Sequence, residues 1–212
     1  MTVEVGILVV ADPPQAWSEA GFTVGPDAQC QVGGVGIRLV GRDHGTGIIG
    51  WSLRGIASDI AELDGIPTRA VDGSPSGRPG AHPNGVLSID HIVWMSQNLS
   101  RTTACLAQVG VQARRERETT LAGRPIRQIF FRFGEVIVEV VGSPETAGDG
   151  PSSLWGITYT VADIDATAAF LGDRAAPVKD AVQPGRRITT LRHDAFGMSV
   201  RTAVISPPIL TA

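Results

Sequence analysis

A carboxylate lies in the middle of the apolar segment FGEVIVEVVG, which runs from Phe133 to Gly142. The surrounding valine and isoleucine residues are typical of a β-strand, and the charged residue among them is Glu139. Moving an ionised carboxylate out of water costs on the order of several kcal/mol unless a cation, a metal or hydrogen-bond donors meet it. We therefore expect Glu139 to face either solvent or a functional site.

Alternation assigns the two faces of this strand, because successive side chains point to opposite sides. Valines at alternate positions form one apolar face that should pack on a helix, so Glu139 points the other way. In the apolar strand that begins at Ser88, the same argument puts Ile92 and Trp94 on the helix side and His91 opposite. An imidazole changes charge near neutral pH, which suits a metal ligand or a general base. A histidine that only forms a hydrogen bond in a pocket wall is the alternative.

The composition narrows the class of protein. The chain has 212 residues, of which 42% are hydrophobic, and this is enough for a sizeable core. A net charge of −3 and only short basic clusters argue against nucleic-acid binding. No apolar run is long enough to cross a bilayer, and the start MTVEVG lacks the positive charge of a signal peptide, so we expect a cytoplasmic protein. The two cysteines, Cys30 and Cys105, have no zinc-binding spacing.

Internal repeats organise the chain. Two segments rich in turn residues, 72–85 and 143–153, separate pieces with the same order of elements. The piece between them reads as strand, helix and three further strands, with a hairpin at Gly134. The first and last pieces repeat this order, and AWSEAGFTV aligns with CLAQVGVQA on its glycine. The segment IIGWSLRGIASDIAELDGIPTRAV reads as strand, helix and strand, so we interpret it as a unit that has lost its hairpin.

Four βαβββ units, with starts such as IDHIVWMSQNL and ends such as FGEVIVEVVG, resemble the vicinal oxygen chelate superfamily, the glyoxalase and bleomycin-resistance fold. The run LWGITYTVADIDATAAFLGDRAAPVKDAVQPGRR is similar in particular to glyoxalase-like proteins with two paired halves. The resemblance implies an α+β fold in which repeated βαβββ units form curved mixed sheets around a pocket, with helices on the outer faces. The expected halves are residues 1–72, with the second unit truncated, and 87–206, with a linker over 73–86 and a tail over 207–212.

The resemblance also implies positions for metal ligands. Members that bind iron, manganese, zinc or nickel place a histidine or glutamate on the first and last strands of each paired unit. His91 and Glu139 match both positions of the third unit. The fourth unit has Gly156 at the first position and, by the pattern of its apolar face, Arg201 at the last, with Thr202 there in the alternative register. Glycine has no side-chain ligand, and arginine does not lose its proton to bind a metal.

The N-terminal pair of units departs further from the ligand pattern. Gly6 stands at its first position, Arg38 at the last, and roughly Trp51 at the start of the truncated unit. We interpret this half as structural, or as a second pocket without metal, because the glycine-rich strand VGGVGIRLVG mainly permits close backbone packing.

Two hypotheses follow for the pocket of the C-terminal half. In one, His91 and Glu139 bind a divalent metal that acts as a Lewis acid in a lyase, isomerase or dioxygenase. In the other, Glu139 pairs with Arg201 in a metal-free pocket that binds a small organic molecule. The metal-free hypothesis is preferred, because two protein ligands are few for retaining a metal and an arginine repels a cation at short range.

The segment QPGRR, Gln183 to Arg187, adds candidate ligand-binding residues. In the family this region often forms a loop over the pocket mouth, where Gln183, Arg186 and Arg187 could receive an anionic ligand. A solvated turn with one salt bridge is the alternative. Because related two-unit proteins commonly dimerise whereas this chain contains both pairs, we expect a monomer or a homodimer with a small-molecule ligand.

Overall fold

The computed structural model describes residues 2–73, 80–121 and 123–208. The elements of the N-terminal half are β1 Glu4–Val10, α1 Pro14–Glu19, β2 Gln29–Val32, β3 Val35–Leu39, β4 Ile48–Arg54, β5 Glu62–Leu63 and β6 Ile66–Ala70. The elements of the C-terminal half are β7 Val86–Met95, α2 Leu99–Gln108, β8 Ala113–Leu121, β9 Arg124–Phe133, β10 Val136–Gly142, β11 Ser153–Val161, α3 Ile164–Leu171, β12 Lys179–Asp180, β13 Arg187–Thr190 and β14 Arg201–Ile205. Residues 74–79 of the predicted linker and 209–212 of the predicted tail lie outside the described residues.

The strands form one mixed sheet in which each unit repeats the same pairing. The first strand of a unit runs parallel to its last strand, as β1 does with β3, β4 with β6, β7 with β10 and β11 with β14. The first strands of neighbouring units pair antiparallel, β1 with β4 and β7 with β11. A bridge between Leu154 and Ile48 connects β11 to β4 and thus the two halves. The predicted α+β fold of repeated units in mixed sheets is confirmed.

Helices α2 and α3 each begin at a capping side chain. The side-chain oxygen of Asn98 accepts a hydrogen bond from the Arg101 backbone N–H at 3.0 Å, and Asp163 accepts one from the Asp165 backbone N–H at 2.9 Å. One face of each helix is buried, namely Leu99, Thr102 and Leu106 in α2 and Ile164, Thr167 and Leu171 in α3. In the described residues, no helix is both long and apolar enough to cross a membrane.

The second unit differs from the sequence prediction. Residues 55–61, all of which the structure describes, contain no helix, and the unit ends in the short hairpin β5–β6. This hairpin turns at Asp64 and Gly65, whose φ angles are 50° and 83°. Positive φ at both central residues is what an Asp-Gly turn between two strands provides. Leu63 and Ile66 on either side of the turn are buried. The unit has therefore lost its helix and kept its hairpin, the reverse of our expectation.

Two buried carboxylates of the N-terminal half bind groups of the C-terminal half. Asp12 accepts hydrogen bonds from the Ser199 backbone N–H at 2.9 Å and from its hydroxyl at 2.5 Å. Asp64, whose side chain is 1% exposed, accepts a hydrogen bond from the Ser152 hydroxyl at 2.6 Å and another from Arg101. We call these contacts the Asp12 clasp and the Asp64 clasp. They fix the two halves against each other at points far apart in the sequence.

The hydrophobic core also continues from one half to the other. The ring centre of Trp51, on β4, lies 5.5 Å from that of Trp94, on β7, and 5.5 Å from that of Phe133, on β9. All three side chains are at most 2% exposed. Aromatic pairs at such separations stabilise a core beyond their buried area.

Candidate functional site

A β-bulge in the first strand of each unit determines which residues are equivalent in the four units. Each bulge adds one residue to a strand opposite its partner. The bulges that recur in all four units add Gly6, Ile49, Asp90 and Trp155, and a second bulge of β7 adds Leu87. The residue after each of the four recurring bulges is therefore the equivalent of His91. The alignment of His91 with Gly156 is supported, whereas the first positions of the N-terminal pair are Ile7 and Gly50 and not Gly6 and Trp51, as we had predicted.

At the bulge, two consecutive residues, Asp90 and His91, line the same cavity. His91 Nδ1 lies 2.8 Å from Asp90 Oδ2, and His91 Nε2 lies 3.8 Å from Glu139 Oε2. The three side chains are between 10% and 15% exposed. The longer distance exceeds a hydrogen bond. His91 is therefore held at Nδ1 and presents Nε2 to Glu139 across a gap, so the structure brings the two main predicted residues together.

Asp90 also contacts Arg186, and the Thr160 hydroxyl donates a hydrogen bond to Asp90 Oδ1 at 3.4 Å. Arg186 Nη2 lies 2.6 Å from Asp90 Oδ1, and its Nε donates a hydrogen bond to the Ser206 carbonyl oxygen at 2.9 Å. The Arg186 side chain is 9% exposed, so it is a buried partner and not part of a solvated turn. Burial alone would raise the pKa of Asp90, but the contacts with His91 and Arg186 together lower it. Asp90 is thus an ionised acceptor for the Nδ1–H of His91.

Glu139 is bonded to a neighbouring strand. The side-chain amide of Gln128, on β9, donates a hydrogen bond to Glu139 Oε1. Arg117, on β8, donates in turn to Gln128 Oε1, with its Nε at 2.8 Å. This arrangement orients the Gln128 amide so that its N–H faces Glu139. The carboxylate has one oxygen occupied by Gln128 and the other oxygen directed at His91.

The cavity beside these residues has a cationic and aromatic lining. Two adjoining volumes of about 590 and 530 Å³ share His91, Arg115, Phe130, Glu139 and Gln183 among their lining residues. The Arg115 guanidinium lies 4.5 Å from the centre of the Phe130 ring. Further basic residues at the lining are Arg114, Arg117, Arg132, Lys179 and Arg186. Cations therefore outnumber the carboxylates Asp90, Glu139 and Asp180.

The residues predicted in the QPGRR segment have separate locations. Gln183 and Arg186 line the cavity, as expected for a loop at the pocket mouth. Arg187 lies outside both volumes, and its Nη1 donates a hydrogen bond to Asp165 Oδ2 at 2.7 Å on the surface. This hydrogen bond raises the pKa of Arg187 and lowers that of Asp165. Arg187 thus corresponds to the alternative that we stated, a solvated residue with one salt bridge.

Arg201 does not pair with Glu139, so this part of the metal-free hypothesis is wrong. Its guanidinium lies 4.9 Å from the centre of the Trp155 ring, and its side chain is exposed. In the described part of the chain, Arg201 lines neither cavity volume around His91.

The strand register explains why Arg201 was wrongly predicted at the position equivalent to Glu139. Three residues after the bulge of the third unit, Val93 pairs with Glu139. Three residues after the bulge of the fourth unit, Thr158 pairs with Ala203. Ala203 is therefore the equivalent of Glu139, and both registers that we considered for the fourth unit were displaced.

The donor atoms do not complete a metal site. His91 Nε2 and Glu139 Oε2 face each other, but Asp90 contacts the opposite nitrogen of the ring, and the equivalents in the fourth unit, Gly156 and Ala203, have no donor side chain. Among the described residues no group of three or more histidine, cysteine, aspartate or glutamate side chains is arranged to hold a metal ion. His91 and Glu139 are therefore the two side-chain ligands that this cavity offers to a divalent cation, one fewer than the three protein ligands typical of a catalytic zinc site.

Comparison of the sequence with known proteins finds no relative, whereas comparison of the structure identifies proteins with the same fold. No protein-family model matches the chain, and no curated protein matches it significantly. A mutant of 4-hydroxymandelate synthase from Streptomyces coelicolor superposes with a TM-score of 0.70 at 14% identity, over 100% of this chain and 94% of that chain. Catechol 2,3-dioxygenase gives 0.61 at 11% identity, over 97% and 88%. An extradiol ring-cleaving dioxygenase from B. fuscum gives 0.57 at 12% identity, over 99% and 72%. The chain therefore has the vicinal oxygen chelate fold that its repeats resemble.

Proposed function

We propose that the cavity of the C-terminal half binds a small organic acid and that His91 exchanges a proton with it. The observation that carries this proposal is the Asp90–His91 pair, with Nε2 directed at Glu139 inside a cavity lined by arginines. The vicinal oxygen chelate fold is compatible with such a pocket, but it does not specify the ligand.

The lining supports the chemical class of the ligand. Arg115 stacks on Phe130 and keeps its outer N–H groups for a carboxylate, which a guanidinium can bind through two parallel hydrogen bonds. Phe130 and Ile137 supply an apolar wall for the body of the molecule. Arg114 has an exposed side chain at the same lining and adds positive charge. These features favour an acid with an aromatic or otherwise apolar body.

The arrangement around His91 supports proton transfer. Because Asp90 accepts a hydrogen bond from the Nδ1–H, Nε2 is the ring atom that can take up a proton from a bound ligand. The imidazolium formed in this way lies between Asp90 and Glu139, whose negative charges stabilise it. The 3.8 Å between His91 Nε2 and Glu139 Oε2 is too long for a hydrogen bond, so Nε2 is not occupied by Glu139 and is available to a ligand in the cavity. Isomerisation or elimination next to a carboxylate is the class of reaction that such a base serves.

Calorimetric titration with benzoate, phenylacetate and mandelate tests the binding step. Arg115→Gln should weaken the binding of an acid that binds the wild type by about tenfold or more, because hydrogen bonds to a charged group contribute roughly 1.5–3 kcal/mol. Arg124→Gln is the matched control, since Arg124 is an exposed arginine of the same hairpin outside the cavity lining. Failure of all three acids to bind, or equal affinities of Arg115→Gln and the control, would contradict the proposal.

A metal-dependent lyase, isomerase or dioxygenase is the second candidate, because His91 Nε2 and Glu139 Oε2 face the same gap. Elemental analysis of protein purified without chelator separates the candidates. The proposal predicts less than stoichiometric metal in the wild type and no change in His91→Ala or Glu139→Ala. One metal ion per chain in the wild type, absent from both variants, would replace our proposal with the metal-dependent one.

A further inference from the structure

The N-terminal half contains a cavity of its own. It has a volume of about 970 Å³ and is lined by residues of β1, β3, β4 and β6 and of the segment 58–61. Val9, Ile49, Ile60, Pro67 and Trp51 contribute apolar side chains to its lining. We call this cavity the N-terminal cup. It is larger than either volume next to His91.

In the N-terminal cup, arginines occupy both positions that are equivalent to Glu139 of the C-terminal half. Three residues after the bulge of the first unit, Val9 pairs with Arg38, and three residues after the bulge of the second unit, Ser52 pairs with Arg69. Arg38 and Arg69 are therefore the equivalents of Glu139. The position that holds a carboxylate in the C-terminal cavity holds a guanidinium twice in the N-terminal cup. This reversal of charge excludes a cation and favours an anion.

The same two arginines differ from the other arginines of this half in their contacts. Arg42 lies 2.9 Å from Asp12, and Arg54 lies 3.3 Å from Glu4. Within the described residues, Arg38 and Arg69 form neither an ion pair nor a side-chain hydrogen bond. The fold has thus paired the arginines that lie outside the cup and left both arginines of the cup available to a ligand.

Position and charge together define the ligand class. The strands β3, β1, β4 and β6 lie side by side, so Arg38 and Arg69 extend from opposite arms of the cup, roughly three strand spacings of about 4.8 Å apart along the sheet. Asp59 is the one acidic residue of the lining, and His44 is also present there. We propose that the N-terminal cup binds a small organic dianion, such as a phosphate monoester or a short dicarboxylate, through Arg38 and Arg69. This site is independent of the proton transfer proposed for His91.

Titration with phenyl phosphate, followed by calorimetry and by the NMR signal of the Trp51 indole N–H, tests the proposal. Binding to the wild type should shift this signal, because Trp51 lines the cup. Arg38→Gln and Arg69→Gln should each weaken binding at the cup, read from the Trp51 signal, by about tenfold or more, and the double variant should abolish the shift of this signal. Both side chains are exposed, so the substitutions should leave the fold intact, which circular dichroism checks.

Two controls keep this site distinct from the C-terminal cavity. Arg192→Gln removes an exposed arginine outside every cavity described above and should bind like the wild type. Arg115→Gln alters the C-terminal cavity alone and should leave the shift of the Trp51 signal unchanged. The proposal is overturned if phenyl phosphate does not shift this signal in the wild type. It is equally overturned if the double variant retains wild-type affinity at the cup.

Discussion

The buried pair of Asp90 and Arg186 should be energetically coupled, and a double-mutant cycle of Asp90→Asn and Arg186→Met measures this coupling. The atoms Asp90 Oδ1 and Arg186 Nη2 are 2.6 Å apart, and both side chains are at most 10% exposed. Removing one partner of such a pair leaves the other charge buried, which typically costs about 3–5 kcal/mol. Here each partner keeps a second contact, Asp90 with His91 and Arg186 with the Ser206 carbonyl.

These remaining contacts reduce the expected loss in free energy of unfolding to about 2–3 kcal/mol for each single variant. The double variant removes both charges together, so its loss should be smaller than the sum of the two single losses. The resulting coupling energy should be about 1–3 kcal/mol, the range for residues in direct contact.

Urea unfolding at pH 7, followed by fluorescence, supplies the four free energies of the cycle. The measurement should be repeated at acidic pH, because the pKa of Asp90 is lower in the folded protein than in the unfolded chain. The stabilisation is then fully present above the unfolded pKa of about 4 and is lost as the pH falls through the lower folded value. Additive losses at pH 7, with a coupling energy below about 0.5 kcal/mol, would refute the argument that Asp90 and Arg186 form a buried pair.

Two further predictions concern groups outside the site. Asp12→Asn should lower the free energy of unfolding by about 2–4 kcal/mol, because the carboxylate is fully buried and meets donors from Ser199 and Arg42. Urea titration measures this loss. A change below about 0.5 kcal/mol would contradict the Asp12 clasp. Burial raises the pKa of the Cys30 thiol to about 12, so iodoacetamide at pH 8 should label Cys30 only after unfolding. The half-buried Cys105 should react slowly in the native protein. Mass spectrometry follows both reactions. Equal labelling rates for the two cysteines would contradict this difference.

The repeat architecture was accessible from the sequence, because each long strand contains enough alternating residues to identify it. The hairpin β5–β6 was missed because its first strand has two residues, which is too short for alternation to appear. The dipeptide of Asp64 and Gly65 was the available signal, since this pair is a strong marker of a two-residue hairpin turn.

Alternation along single strands predicted part of the site, and the residues that it did not predict depend on contacts between strands. His91 and Glu139 were found because alternation holds locally on β7 and β10. Asp90 was missed because a bulge breaks alternation and turns two neighbours to the same side, which depends on the partner strand and not on the local sequence. In the fourth unit ten residues connect β13 to β14, whereas two residues connect β9 to β10, and this longer connection displaced the register that had suggested Arg201 in place of Ala203.

Gln128 was missed for a different reason. Its contact with Glu139 is diagonal across two strands, and pairing between strands follows from the hairpin register. The cytoplasmic location, the boundaries of the halves and the state as monomer or homodimer stay predictions of the sequence.

The two clasps have a consequence for how the halves depend on each other. In the Asp12 clasp and the Asp64 clasp, the acid comes from the N-terminal half and donors come from the C-terminal half. An isolated N-terminal fragment would expose both carboxylates and the Trp51 ring, while its counterpart would lose the acceptors for Ser199 and Ser152. The covalent connection between the halves then serves mainly to raise their local concentration. A chain cleaved between residues 73 and 80 should remain a single particle whose two fragments recognise each other.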